Sequence, residues 1–166
     1  QIGIHSGDFL LTEAGFGADM GAERFFNIKC RYSGLVPDAA VIVSTVRGLK
    51  AHSGKHNIVA GKPLPKAILE RNPDEVHLGG DNLRKQLKNI LLHGISPVVA
   101  INVFPDDHQE DIEAIREIAG EFGARVAAST HFIDGGRGAI ELAEVVKDAA
   151  DEPSDFQMLY PDDIPL

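Results

Sequence analysis

SPVVAINVFPDD, residues 96–107, is the stretch that decides the predicted fold. Its first nine residues form a mostly apolar run, which is typical of a strand that is covered on both faces of a sheet. Asn102 and Phe104 stand at the end of that strand, and Pro105 fixes a turn after it. We therefore expect a buried strand whose last side chains reach one edge of a sheet.

Apolar runs of this kind alternate with helix-like stretches along the chain. Residues 38–46 and 124–130 predict two more buried strands, and residues 8–15 predict a short first strand. Apolar residues at helical spacing predict helices over residues 18–34, 81–94, 111–123 and 138–150. Parallel strands need crossover helices, so this order predicts an α/β fold with a doubly wound, mostly parallel sheet and helices on both faces.

Length and composition limit the possible classes. The 166 residues correspond to a single α/β domain, 1–166, with a polar loop over 50–65 and a tail over 151–166. A net charge of −9 argues against nucleic acid as a partner, because such binding needs clustered Lys and Arg. No apolar run is long enough to cross a bilayer, so no membrane partner is predicted.

The cysteine content and the first residues carry two further expectations. One cysteine, Cys30, cannot form an internal disulfide, and no basic and apolar leader precedes the first element, which favours a cytoplasmic location. The chain starts at Gln1 rather than at Met, and its first element follows almost at once. We therefore expect it to be a piece of a longer protein.

Two glycine-containing stretches come close to nucleotide-binding motifs without matching them. EAGFGADMGAERFF, residues 13–26, gives G-x-G-x-x-x-G, whereas the dinucleotide fingerprint is G-x-G-x-x-G. Gly48 and Gly54 are separated by five residues instead of four, and His56 stands where a P-loop needs Ser or Thr. The sequence therefore predicts neither a dinucleotide fingerprint nor a P-loop.

Ligands bind such sheets at the carboxyl ends of the strands, so the residues after each strand are the candidates. Phe104 and Phe132 follow neighbouring strands, where two phenyl rings could hold a flat heterocycle or could belong to the core. Arg47, Lys50 and Lys55 follow another strand, where they either attract an anionic substrate group or form a solvated loop.

A phosphate-binding turn and a metal site are two further possibilities that the sequence allows us to consider. The glycine-rich turn at residues 135–138 either cradles phosphate with its N–H groups or only closes a tight turn. The histidines and Cys30 do not show metal-ligand spacing, so no metal site is predicted.

Three segments together resemble one enzyme family. They read TEAGFGADMGAERFFNIKCRYSGLVPDAAVIVSTVRGLK at residues 12–50, VVAINVFPDD at 98–107 and GGRGAIELAE at 135–144. In this order, over about residues 8–150, they are similar to formate–tetrahydrofolate ligase, also called 10-formyltetrahydrofolate synthetase. The fold that this implies is part of a P-loop NTPase-like α/β domain.

The resemblance implies an ATP-dependent ligase that makes 10-formyltetrahydrofolate from formate and tetrahydrofolate through formyl phosphate. It also implies Mg²⁺, a stimulating monovalent cation and a homotetramer. The P-loop and the formate-binding groups of the family have no counterpart in this sequence. The chain therefore resembles the middle part of the ligase, which holds the flat rings, and we expect it to be inactive alone.

The same resemblance assigns ligand-binding residues, although no catalytic residue. It places aromatic residues at Phe104 and Phe132, which sandwich the pterin or the adenine, and it places Asn102 beside that pocket. The loop from residue 13 to 17 contributes to the folate side, with Glu13, Gly15, Phe16 and Gly17. The resemblance makes Arg47, Lys50 and Lys55 candidates for contact with anionic parts of the substrates, and a solvated loop is the alternative.

The chain departs from the family pattern at several ligand positions. Phe132 replaces the usual Trp, and Gly48 replaces an Ala. HSGK at residues 52–55 stands in place of a Gly-Gly pair, and Asp134 and Arg137 stand where relatives commonly show a Lys and an acid. These changes bear on ligand contacts and leave the predicted fold intact.

Two functions of different classes follow. In the first, the chain is the ring-binding segment of the ligase and works only with the P-loop region attached. In the second, it is a non-catalytic nucleotide- or folate-binding or assembly module.

Overall fold

The computed structural model describes residues 2–163, so Gln1 and the last three residues of the predicted tail lie outside the described part. The chain divides into two compact units, Gln1–Leu35 and Val36–Leu166, and each is described by itself. The single domain predicted for residues 1–166 stays a prediction.

The first unit is helical. After a 3-10 turn at Gly3–His5, the chain forms helix α1 (Ala18–Arg24), a π-helical segment (Phe25–Cys30) and helix α2 (Arg31–Ser33). Gly34 ends this run in the left-handed conformation, with φ of 69°, which a glycine adopts without strain. The helix predicted for residues 18–34 and its end at Gly34 are therefore confirmed.

The strand predicted over residues 8–15 is wrong. Its apolar part, Phe9 to Leu11, is only three residues long, and all three side chains are exposed. A strand needs a neighbour to bond its N–H and C=O groups, and these residues join no β-ladder.

The second unit contains a parallel three-stranded sheet in the order β1 (Ala39–Ser44), β2 (Ser96–Asn102) and β3 (Arg125–Ser129). β2 is central, and its five inner residues, 97–101, are all buried. Fully burying one valine or isoleucine side chain contributes about 1.5–3 kcal/mol, so β2 supplies much of the core. The predicted α/β fold with a parallel sheet is confirmed.

Helices connect and cover the strands. α5 and α6 contact each other and the sheet, and α8 contacts all three strands. The apolar stripes predicted from helical spacing are buried, with Leu87 of α5 and Ile115 of α6 fully enclosed. The helices of this unit are α3 (Val46–His52), α4 (Pro73–Leu78), α5 (Asp81–Leu92), α6 (Gln109–Gly120), α7 (His131–Asp134) and α8 (Ile140–Ala150), with 3-10 turns at Lys66–Leu69 and Gly135–Ala139.

The predicted loop at residues 50–65 begins later than the sequence suggested. α3 continues to His52, so Lys50 is helical, and residues 53–65 form the irregular part. Thr45 starts α3 by accepting a hydrogen bond from the Gly48 N–H at 2.9 Å. That cap sets the helix in place directly after β1.

A buried polar network lies beneath α3. The Lys50 ammonium donates to Asp111 Oδ2 at 2.7 Å and to the Glu70 carbonyl at 2.6 Å. The other oxygen of Asp111 accepts the Asn72 N–H at 2.9 Å. Lys50 and Asp111 are 1% and 0% exposed, so each charge depends on the other for compensation.

Part of the predicted tail packs on the second unit. The Asp155 N–H donates to the Gly94 carbonyl and the Gln157 N–H donates to the His93 carbonyl. The His93 ring stacks on Phe156 with ring centroids 5.9 Å apart. Gly94 has φ of 73°, and a Cβ there would lie 1.9 Å from the Asp155 carbonyl oxygen, so only glycine fits this contact.

No helix in the part of the chain from residue 2 to 163 has both the length and the apolar character that crossing a bilayer requires.

We predict that Lys50→Met destabilises the chain by about 3–5 kcal/mol, because it leaves the buried Asp111 carboxylate without its cation. Lys55→Met is the matched control, since Lys55 is exposed, and we expect a change within about 0.5 kcal/mol. Urea unfolding of both variants measures the two free energies. Equal losses in the two variants would contradict the assignment.

Candidate functional site

Parallel pairing brings the carboxyl ends of the three strands to one edge of the sheet. Ser44 is paired with Ile101, and Asn102 is paired with Ser129. The chain segments that follow β1, β2 and β3 therefore leave the sheet side by side. This edge is where ligands bind in open α/β sheets.

Phe104 is held in a tight turn just past β2. The Asp107 N–H donates to the Phe104 carbonyl at 3.0 Å, and Asp107 Oδ2 accepts the Phe104 N–H at 2.9 Å. Pro105 occupies the second position of this turn, where its fixed φ is favourable. The two bonds fix the backbone that carries the phenyl ring.

Arg47 covers the Phe104 ring. Its guanidinium carbon lies 4.1 Å from the ring centroid, well within the range of a cation–π contact. Arg47 also lies 3.5 Å from Asp106 Oδ2 and 4.0 Å from Asp107 Oδ1. The turn after β2 and the first turn of α3 are thereby joined by charge and by stacking.

Burial raises the pKa of the Asp107 carboxyl above its ordinary value. The Phe104 N–H opposes this rise, and so do the positive charges of Arg47 and Lys50, whereas Asp111 adds to it. Because the folded pKa lies above the unfolded one, the stability that this carboxyl contributes is complete at low pH. It is lost as the pH rises through the folded pKa.

Phe132 lies in α7, directly after β3, and its side chain is 85% exposed. The turn that follows folds back on the strand end, because the Thr130 N–H donates to the Gly138 carbonyl at 3.0 Å. A Cβ on Gly138 would lie 2.5 Å from Thr130 Oγ1, so this close approach needs glycine. At least this glycine serves the turn, and phosphate binding by residues 135–138 stays a prediction.

The other candidates at this edge differ in how available they are. Asn102 lies at the last position of β2, and its amide makes no hydrogen bond to any residue that the structure describes. Lys55 is exposed. Lys50 is buried and paired with Asp111, so its charge is neutralised inside the fold and is not free to bind a substrate anion.

In the first unit, the EAGFG loop has an unusual backbone. Gly15 and Phe16 both have positive φ, 71° and 60°, which is rare for a bulky residue. The Phe16 side chain is exposed, and the Arg24 guanidinium lies 4.6 Å from its ring centroid. A Cβ on Gly21 would lie 2.1 Å from the Gly15 carbonyl oxygen, so this late third glycine lets α1 pack against the loop.

A cavity of about 370 Å³ lies beside this loop within the first unit. Arg24 and Lys29 supply two positive charges to its wall, and Glu13 supplies one negative charge. The lining residues are Glu13, Ala14, Arg24, Phe25, Ile28 and Lys29.

The described residues, 2–163, include no group of three or more His, Cys, Asp or Glu side chains placed to hold a metal ion.

Sequence reasoning missed the contacts that hold Phe104. Arg47 was a candidate for anion binding, yet it stacks on Phe104 and faces two carboxylates. The signal for the turn was present, because an acid three residues after Phe104, with Pro105 between them, matches a side-chain-capped turn. No sequence pattern predicts the contact between Arg47 and Phe104, because 57 positions separate the two residues.

We predict that replacing Asp107 by Asn changes the pH dependence of stability. The Asn oxygen can still accept the Phe104 N–H, but the group no longer ionises. Relative to the unsubstituted chain, Asp107→Asn should therefore gain unfolding free energy as the pH rises from about 3 to 7.

Glu121→Gln is the control of opposite sign. A hydrogen bond from Arg84 lowers the pKa of Glu121, so its contribution to stability is lost as the pH falls. Relative to the unsubstituted chain, this variant should lose stability over the same pH rise. Urea unfolding at several pH values measures both, and a common direction for the two variants would contradict the Asp107 assignment.

Comparison with known proteins identifies the family. The family model described as formate–tetrahydrofolate ligase matches residues 1–166. A formate–tetrahydrofolate ligase of Saccharopolyspora erythraea is 65% identical over 166 residues, which is 100% of this chain and 29% of the relative. Formate–tetrahydrofolate ligase 3 of Rubrobacter xylanophilus is 56% identical, with 99% of this chain and 30% of the relative covered.

A formate–tetrahydrofolate ligase of Cutibacterium acnes is 57% identical, with 96% of this chain and 28% of the relative covered. The chain thus spans about three-tenths of the length of the curated relatives it matches. Since the match extends over every residue of the chain, this protein belongs to the formate–tetrahydrofolate ligase family.

Proposed function

We propose that this chain is the part of a formate–tetrahydrofolate ligase that binds the flat rings of its substrates, the pterin of tetrahydrofolate or the adenine of ATP. The observation that carries the proposal is the arrangement of Phe104 and Phe132. Each follows one of two neighbouring strands at the carboxyl edge of the sheet. Phe104 is held by its turn, and Phe132 is 85% exposed.

Two phenyl rings at such an edge suit a planar ligand. Stacking of a base on an aromatic side chain contributes about 1–3 kcal/mol per ring, and it depends little on the hydrogen-bonding groups at the edge of the heterocycle. Asn102, whose amide has no partner among the described residues, lies at the end of β2, two positions before Phe104, and is proposed to supply a donor and an acceptor to the ligand. Stacking would set the plane of the ligand, and the amide would set its rotation in that plane.

The EAGFG loop is proposed to contact the folate. Holding a phenylalanine at positive φ costs about 1–3 kcal/mol, and such strain is found preferentially at ligand-binding sites. Phe16 is exposed despite this cost, and the wall of the adjoining cavity includes Glu13. Gly15 and Gly17 border Phe16 and are proposed to belong to the same folate-side loop, and Gly15 has a positive φ of 71°.

The full reaction belongs to the whole ligase. There, formate and ATP would give formyl phosphate, and the formyl group would pass to tetrahydrofolate to form 10-formyltetrahydrofolate. We propose that a P-loop region outside this chain handles the phosphoryl transfer, while the present residues position the rings. Mg²⁺ and a monovalent cation would be used there too, and we assign no residue of this chain to either, because the described residues form no metal-holding cluster.

Lys55, which is exposed, remains the proposed contact for anionic parts of the substrates. Arg47 was predicted for the same role, but it already faces two carboxylates and is not proposed as a direct contact. A tetrameric assembly and a cytoplasmic location complete the proposal.

Removal of the Phe104 ring tests ring binding. At about 100 times its dissociation constant, a ligand stabilises the folded chain by roughly 2.7 kcal/mol, which raises the melting temperature by about 5–11 °C. We expect this shift with tetrahydrofolate or with MgATP, and we expect Phe104→Ala to abolish it. Differential scanning fluorimetry measures the shift.

Phe9→Ala is the matched control, because Phe9 is an exposed phenylalanine in the other unit. This variant should keep the ligand shift. Circular dichroism checks that Phe104→Ala is folded, and an undiminished shift in that folded variant would refute the ring site.

A second prediction concerns turnover. The chain alone should form no detectable 10-formyltetrahydrofolate from formate, MgATP and tetrahydrofolate, because phosphoryl transfer depends on positioned groups that neutralise charge. A full-length ligase assayed in parallel is the positive control. Turnover by the purified 166-residue chain would contradict the proposed division of labour.

A further inference from the structure

We propose that Arg47 is a positioning residue for the ring site. Its guanidinium covers one face of the Phe104 ring and leaves the opposite face to the ligand. The inference rests on the proposed function for the identity of the ligand. Its structural part, the hold of Arg47 on Phe104, stands without any ligand.

Arg47 stacks closely on Phe104. The Arg47 guanidinium carbon lies 4.1 Å from the Phe104 ring centroid. Two flat groups in van der Waals contact are separated by about 3.5–4 Å, so this guanidinium fills one face of the ring. A heterocycle cannot share that face with Arg47, and it must stack on the other face.

Arg47 is held by its helix and by two nearby carboxylates. Its backbone lies in the first turn of α3, which Thr45 caps at the end of β1. Its guanidinium lies near Asp106 and Asp107 at 3.5 and 4.0 Å, longer than a charge-assisted hydrogen bond of about 2.7–2.9 Å. Charge attraction therefore keeps the guanidinium over the ring, while stacking on Phe104 sets its orientation.

Phe104, Asp107 and Arg47 form a closed loop of contacts. Asp107 accepts the Phe104 N–H at 2.9 Å and faces Arg47, and Arg47 covers the Phe104 ring. Backbone and side chain of Phe104 are thus fixed by two partners that also attract each other. The Arg47 side chain is 22% exposed, so solvent screens this arrangement only in part.

A positioning role of Arg47 and an anion-binding role of Arg47 have different consequences. A residue that meets a substrate anion should act whether or not Phe104 is aromatic. A residue that positions Phe104 should act only through the ring. Substitutions at both positions distinguish these roles, because coupling energies are measured by double-mutant cycles.

The experiment compares Arg47→Gln, Arg47→Lys and Arg71→Gln by calorimetric titration with tetrahydrofolate and with MgATP. Arg71 is the control, since it is an exposed arginine that pairs with Glu110 at 3.6 Å. We expect Arg47→Gln to weaken the ring ligand about five- to tenfold. Arg47→Lys should weaken it about two- to threefold, because Lys keeps the charge but not the flat group, and Arg71→Gln should leave it unchanged.

The same substitution is then made in a Phe104→Leu background, which keeps an apolar side chain but has no ring, and urea unfolding of the free chain measures the coupling. There, Arg47→Gln should lower the free energy of unfolding less than it does in the chain that keeps Phe104. An equal loss in both backgrounds would show that Arg47 acts independently of the ring and would overturn the proposal. Unchanged affinity in Arg47→Gln itself, with Phe104→Ala still abolishing binding, would overturn it while leaving the proposed function intact.

A ligand-free measurement makes the outcome independent of the proposed function. In the NMR spectrum of the free chain, Arg47→Gln should shift the ring resonances of Phe104 and leave those of Phe9 in place. Absence of a Phe104 shift would overturn the positioning role. If this shift is seen and no ligand binds the unsubstituted chain, the proposed function fails and the hold of Arg47 on Phe104 stands.

Discussion

The parallel pairing of β2 between β1 and β3 is the constraint on which the second unit depends. With a neighbour on each side, β2 has its backbone groups satisfied, and residues 97–101 have both faces buried. Parallel neighbours also require crossover connections, which here contain α3, α4 and α5 before β2 and α6 before β3. The same pairing makes all three strands end at one edge, which collects the candidate ligand-binding residues there.

Two pairs of opposite charges lie near that edge. Lys50 and Asp111 form a buried pair, and Arg47 and Asp107 form a looser pair closer to the surface. Arg47 and Lys50 lower the pKa of the Asp107 carboxyl and Asp111 raises it, so the two pairs interact electrostatically. The cations are thereby largely committed to carboxylates of the chain, and the edge offers aromatic faces more than free positive charge.

The EAGFG loop gives the first unit an unusual backbone. Phe16 is held at positive φ and is exposed, although burial is the usual reason to keep a phenylalanine. The contact of Gly21 with the Gly15 carbonyl shows that α1 packs closely against this loop. The glycines of EAGFG therefore shape a loop next to a helix and do not form a dinucleotide fingerprint.

The sequence by itself determined the strands of the second unit, the apolar faces of α5 and α6 and the end of the first helical run at Gly34, because these follow from periodicity and glycine chemistry within short stretches. It also determined the family, through segments spread over most of the chain. It could not determine that residues 8–15 lack a strand, because a strand depends on a neighbour that is distant in sequence. Only the tertiary structure decided that Lys50 forms an ion pair with Asp111 and that Arg47 stacks on Phe104. These partners are 61 and 57 positions apart in the sequence, and the packing of the sheet and its helices brings them together.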